Sequence, residues 1–149
     1  MRFEKQVVIN APKDRVWNFF LDARQLASCI PGCENVEPND SDGYAARIVD
    51  KIGPFRVSFQ LEVRIKEIKE GRFIRAAATG KDQQLASSFR QTLQAEMNEV
   101  APGQTRVDLS TEIGFLGKIA SLGYGLIKRK ADGAMAQFSQ SVKDRLERA

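Results

Sequence analysis

The chain has 149 residues, with 23 lysines and arginines against 19 aspartates and glutamates, a net charge of +4 and no histidine. That length suits one domain, over 1–149, whose core needs no disulfide or metal staple. No stretch of about 18 apolar residues exists to span a membrane as a helix, no leader pattern opens the chain, and a Ser-His-Asp triad or a His-rich zinc site is excluded.

Phe3 to Ile9 alternate and close on Val7-Val8-Ile9, which predicts a first strand. Asn10 is placed to cap a helix and Pro12 to open it. Val16, Trp17, Phe19 and Phe20 then recur at helical spacing to about Leu21. A second short helix is expected over Ala23 to Ala27, ended by Pro31-Gly32. Cys29 and Cys33 lie four apart in Cys-Ile-Pro-Gly-Cys. This spacing allows free, partly buried thiols or a disulfide across a tight turn. It is one residue longer than the usual redox pair, and two thiols do not complete a zinc site.

From Glu34 to Ile113 the pattern is strands. Asn39-Asp40-Ser41-Asp42-Gly43 reads as a turn, and Ile52-Gly53-Pro54 breaks the next run. Phe55, Val57, Phe59, Leu61, Val63 and Ile65 alternate with polar residues, which makes this the clearest strand of the chain. Lys69-Glu70-Gly71 turns the chain into a strand from Phe73 to Gly80. Phe89, Gln91, Leu93, Ala95 and Met97 share one face of a strand over Ser87 to Glu99. Ala101-Pro102-Gly103-Gln104 turns again, and Thr105 to Ile113 alternate. A long helix is then expected from Gly114 to Leu146, with Phe115, Ile119, Leu122 and Leu126 on one line and Ala131, Met135, Phe138, Val142 and Leu146 on another.

Strands in sequence followed by a helix give an α+β class, and short turns make the strands antiparallel. A seven-stranded sheet curved around a long C-terminal helix, with two short helices after strand 1, is the simplest closure. A curved sheet and a straight helix do not touch everywhere, so an apolar cavity is expected between them. Its candidate lining from the strands is Phe55, Val57, Phe59, Leu61, Phe89, Leu93, Met97 and Leu109. From the C-terminal segment come Phe115, Ile119, Leu122, Leu126 and Met135. Trp17 and Phe20 read mainly as core and partly as lining of its mouth, and Ile30 is a further candidate lining residue. The same side chains also suit a plain packed core. Glycines and alanines along the terminal helix leave room for a ligand or for close strand packing.

Gln60, Gln91 and Thr111 are polar positions within apolar strands, able to orient a ligand carbonyl or simply exposed. Asp50, Glu62, Glu96 and Glu112 fall where alternation points outward, so no acid/base couple and no catalytic residue stands out. All the charge excess lies in residues 115–149, which hold seven bases and three acids. Lys128-Arg129-Lys130 is either a solvated helix face or a docking patch for an acidic partner or lipid headgroups. Nothing points to nucleic acid.

Leu26-Ala27-Ser28-Cys29-Ile30-Pro31-Gly32-Cys33-Glu34 resembles a signature of the carbon monoxide dehydrogenase G-subunit family. Lys51-Ile52-Gly53-Pro54-Phe55 with Phe59, and Gly117-Lys118-Ile119 with Gly123 and Phe138, resemble further segments of it. The resemblance implies a helix-grip fold of the START-like (SRPBCC) superfamily with a hydrophobic cavity. It implies a non-catalytic companion of molybdenum hydroxylases of the carbon monoxide dehydrogenase type, without a cofactor of its own. Recruitment of that enzyme to the membrane, and carriage of the quinone that accepts its electrons, follow as expected roles. So does a cytoplasmic location with peripheral contact at the inner membrane. Some members continue into a linker and a membrane-binding tail; this sequence ends at Ala149, which leaves cavity binding and partner docking as the expected roles. A cyclase or aromatase of the same superfamily, with inward ionisable groups such as Tyr44 or Tyr124, and an assembly factor without a ligand, are the alternatives.

Overall fold

The structure, a computed structural model, describes residues 1–39 and 43–148. Strand β1 (Arg2–Ile9) leads into helices α1 (Lys13–Leu21) and α2 (Ala23–Ala27). Then come β2 (Cys33–Asn39), β3 (Gly43–Ile52), β4 (Phe55–Lys69), β5 (Phe73–Asp82), β6 (Ser87–Ala101) and β7 (Gln104–Gly117). A 3-10 turn (Lys118–Leu122) and helix α3 (Tyr124–Glu147) follow. The turn expected at Asn39–Gly43 centres on residues 40–42, outside the described residues. The seven strands form one sheet in the order β1-β7-β6-β5-β4-β3-β2, with every neighbour antiparallel.

The sheet curves around α3, and two lysines of that helix show how far. Lys128 Nζ lies 6.0 Å from the ring centroid of Phe3 on β1. Lys130 Nζ lies 3.0 Å from Asp50 Oδ2 on β3. In a flat sheet those strands would stand five spacings apart, about 24 Å. Contacts from two nearby residues of one helix to both strands fit a sheet that curls toward α3 on either side.

Three expectations change. The C-terminal helix does not begin at Gly114. Phe115 and Gly117 stay in register with Phe89 and Ser87 on β6, so Phe115 belongs to β7. Gly117, at φ 87, then turns the chain where an added Cβ would sit 1.9 Å from the Ala86 carbonyl oxygen. Gly123, at φ 89, separates the 3-10 turn from α3. The apolar line Phe115, Ile119, Leu122, Leu126 thus crosses three elements. Asn10 caps nothing: α1 has Pro12 at its N-cap with no side-chain bond. Instead Asn10 donates its N–H to Glu147 Oε2 at 2.8 Å and accepts from Gln104 Nε2 at 3.0 Å. Asp50 does not point outward. It lies opposite Val57, which is buried on the inner face.

The edge strand β2 is irregular. Its pairing with β3 shifts between Glu34 and Glu37, Asn35 sits at φ 57, and Pro38 interrupts its donors. The apolar core divides in two. One cluster gathers Ile9, Val16, Trp17, Phe20, Cys29, Ile74, Met97, Val107, Val142 and Leu146 under α1 and the end of α3. The other gathers Val57, Phe59, Leu61, Phe89 and Ile119 beneath the 3-10 turn. Burying each of these large side chains stabilises the fold by roughly 1.5–3 kcal/mol.

Candidate functional site

The space between the two clusters is the candidate site. Alternation along β6 directs Phe89, Gln91, Leu93, Ala95 and Met97 to the inner face. At one end Phe89 is packed edge-on to Phe59, 5.0 Å between centroids, and fills the space above Gly80, where an added Cβ would meet its ring at 2.2 Å. At the other end Ala95 and Met97 are buried in the α1 cluster. Between them Leu93 is 36% exposed, although β5 and β7 flank it on both sides. A leucine facing inward from a central strand stays that accessible only where nothing lies over it. Helix α3 makes its close approaches to β1, α1 and the 3-10 turn rather than to β4, β5 or β6.

Neighbouring strands continue the opening. Ile65 on β4 faces Ala76 on β5, and both are incompletely buried. A bulge between Ile65 and Glu67 resets the register, so that Ile68 opposes Ile74 on the inner face. Ile65 and Ile68 are 37% and 46% exposed. The result is an apolar trough over the middle of the sheet. Ile65, Ile68 and Ala76 are absent from the sequence-based lining. Strict alternation would turn Glu67 inward, and no sequence signal marks the bulge; Glu67 instead pairs with Arg75 at 3.4 Å.

The expected lining residues divide accordingly. Trp17, Phe20 and Met97 are buried in the first cluster, with Leu109 packed against it. Val57, Phe59, Leu61, Phe89 and Ile119 form the second, with Phe55, Phe115 and Leu122 against it. Leu126 reaches the β3–β4 turn, its methyls 3.5 and 3.6 Å from where a Gly53 Cβ would stand. Leu93 lies in the open middle. Ile30 and Met135 are half-buried and belong to neither cluster. The Trp17 indole N–H is buried without an acceptor among the described residues.

Polar groups on the inner face are few. Gln91 Nε2 donates to Thr111 Oγ1 at 2.9 Å, and Thr111 Oγ1 donates to the Thr92 carbonyl at 2.9 Å. Gln60, by contrast, is exposed on the outer face. Tyr44 shares the inner register with Val63, whereas Tyr124 is 64% exposed. Asp50 is held by Lys130. Asp82 is buried, but both its oxygens accept backbone N–H groups, from Ser58 at 2.8 Å and Leu85 at 3.1 Å; it fastens the β5–β6 turn to β4. Among the described residues no group of three or more Cys, Asp or Glu is placed to hold a metal ion.

The basic run splits three ways. Lys128 pairs with Asp132 at 2.8 Å, which raises its pKa, and Lys130 pairs with Asp50. Arg129 is exposed. Cys29 and Cys33 are both free thiols, and burial pushes both up from the usual cysteine range. Gly32 between them takes φ +76, and an added Cβ would lie 2.2 Å from the Val49 carbonyl oxygen. Its own carbonyl accepts the Val49 N–H at 3.0 Å. The segment around the cysteines is therefore a close-fitting turn docked on β3.

A curled antiparallel sheet gripping a terminal helix over a largely apolar inner face defines an α+β protein with a helix-grip fold. Within that class, the model of the carbon monoxide dehydrogenase G-subunit (CoxG) family matches residues 6–147, and the chain belongs to that family. Among solved structures it is similar to a conserved protein from Geobacillus kaustophilus, at TM-score 0.89 and 16% identity over 98% of this chain and 95% of that one. It is also similar to the ZhuI aromatase/cyclase from Streptomyces sp. R1128, at TM-score 0.74 and 14% identity over 99% and 94%. At these identities the likeness is one of fold. No curated protein matches the chain. No described helix is long and apolar enough to cross a membrane.

Proposed function

We propose that this chain is a non-catalytic accessory protein of a carbon monoxide dehydrogenase-type molybdenum hydroxylase. It holds a lipophilic molecule in the trough between sheet and α3, and an isoprenoid quinone coupled to the enzyme's electron acceptor is the ligand class. The exposure of Leu93 in the middle of a central strand carries this reading, because a fold that curls a sheet around a helix and then leaves its centre uncovered keeps room for a guest. An apolar wall with a few convergent polar groups suits such a molecule. The inward carboxylates are already engaged, Asp50 by Lys130 and Asp82 by backbone amides, which leaves little for acid/base chemistry. Family membership supports the accessory role and the partner.

Solvent extraction of the purified protein followed by mass spectrometry should release an apolar molecule, and titration with a short-chain quinone should saturate. Leu93→Trp, which fills the trough without adding charge, should weaken that binding at least tenfold while leaving the unfolding transition cooperative. Unchanged affinity in a folded Leu93→Trp variant would overturn the trough as the binding site.

A further inference from the structure

Resting on the trough as a binding site, the hydrogen bonds around Gln91 say which chemistry of ligand it favours. Thr111 is buried, and its hydroxyl has one proton. That oxygen lies 2.9 Å from the Thr92 carbonyl oxygen, which can only accept. The proton is therefore committed to the backbone, and toward Gln91 the hydroxyl can only accept. The Gln91 atom 2.9 Å from Thr111 Oγ1 must then be the amide nitrogen. This fixes the orientation of the amide by proton counting.

One N–H of Gln91 is used in this way. The other N–H and both lone pairs of Oε1 remain, and among the described residues Gln91 makes no further side-chain hydrogen bond. Across the sheet Gln91 stands opposite Ala78 on β5 and Ile113 on β7, and the half-exposed Leu93 is the next inward residue on its own strand. A carbonyl oxygen in such a setting is solvated while the trough is open to water. A lipophile that covers Leu93 removes that water, and the oxygen then needs a donor.

We propose that Gln91 is a specificity-determining residue, anchored by Thr111, that favours lipophiles carrying a hydroxyl, of the phenol or hydroquinone kind, over the same skeleton with acceptors alone. A ligand hydroxyl donates to Oε1. An acceptor-only group reaches just the free N–H and leaves the amide oxygen desolvated without a partner. Sites built to hydrogen-bond one partner reject the analogue that lacks the matching atom. For a quinone-type ligand, the reduced form is the one retained.

Calorimetric titration with 2-naphthol and with 2-methoxynaphthalene, which differ by one donor proton, tests this. In the wild-type protein 2-naphthol should bind more tightly, and the ratio of the two affinities should fall roughly tenfold in Gln91→Met, which keeps the shape and removes both hydrogen-bonding atoms. The wild-type side-chain amide resonances of Gln91 should also shift on adding 2-naphthol, a readout that needs no variant. An affinity ratio unchanged by Gln91→Met, or amide resonances that do not move at saturation, would overturn the role of Gln91 and leave the trough standing. Failure of both compounds and of the short-chain quinone to bind the wild-type protein would overturn the trough itself, and this inference with it.

Discussion

Gly32 and Asp82 show how much of the site's support rests on single atoms. A side chain at Gly32 would meet the Val49 carbonyl at 2.2 Å while demanding φ +76, so Gly32→Ala should cost more than about 1 kcal/mol. Urea titration would register it as a lower midpoint with an unchanged slope. Removing the carboxylate in Asp82→Ala deletes two charge-assisted bonds from the Ser58 and Leu85 backbone N–H groups, and a loss of about 1–3 kcal/mol is expected in the same measurement. Alternation in the sequence identifies Gln91 and Thr111 as polar positions on an apolar face. It does not reveal that they bond to each other, because they lie on different strands and not directly opposite: Gln91 faces Ile113, and Thr111 faces Leu93. Alternation misplaces Asp50 for a related reason. Tyr44 to Ile52 has no clean polar/apolar pattern, so its phase is set by pairing with Phe55, Val57, Phe59 and Leu61 on β4.

Helix α3 is fixed at its C-terminal end by contacts that reach far back in the chain. Arg15 Nη2 donates to the Leu146 carbonyl at 2.8 Å, and Lys143 Nζ to the Val8 carbonyl at 2.8 Å. Glu147 accepts from Lys143 Nζ at 2.6 Å and from the Asn10 N–H at 2.8 Å. These partners, Lys143 first, hold its carboxyl below the usual glutamate range. A carboxylate lowered on folding adds stability that is fully present above its unfolded pKa, about 4.3, and is lost as pH falls through the folded value. The stability difference between wild type and Glu147→Gln should therefore be full at pH 7, narrow below about pH 4.3 and then level off. Chemical denaturation across that range measures it, and a constant difference would contradict the assignment. The boundaries of this element are only partly legible in the sequence. Helical spacing of Phe115, Ile119, Leu122 and Leu126 mimics one helix, because spacing does not record that Gly117 and Gly123 leave helical φ.

At the scale of the molecule, antiparallel pairing and the terminal helix follow from patterning, since short turns join successive strands and one long apolar element remains to cover them; the pairing of β1 with β7 does not, because no turn joins them. What patterning leaves out is how evenly that cover is applied. Most of the expected lining is packed in two clusters, and the opening falls over Leu93, Ile65 and Ile68, away from β1, the strand that α3 packs on most closely. A guest there adds to stability by mass action, about 2.7 kcal/mol at a hundredfold excess over its dissociation constant. Thermal unfolding should shift upward with a short-chain quinone in the wild-type protein and stay in place in Leu93→Trp; equal shifts in both would place the guest elsewhere.

A sheet with an incompletely covered greasy side must also guard its margin. On one flank the final helix shields β1. On the other, β2 offers Glu37, a Glu34 paired with Arg47 of β3, a misaligned pairing and a proline, a ragged and charged hem that resists extension strand by strand by a second copy. The open side can thus remain available to small molecules without inviting the molecules to zip together into fibres, and straightening that hem, by replacing Pro38 and the two glutamates with β-branched residues, would favour such zipping.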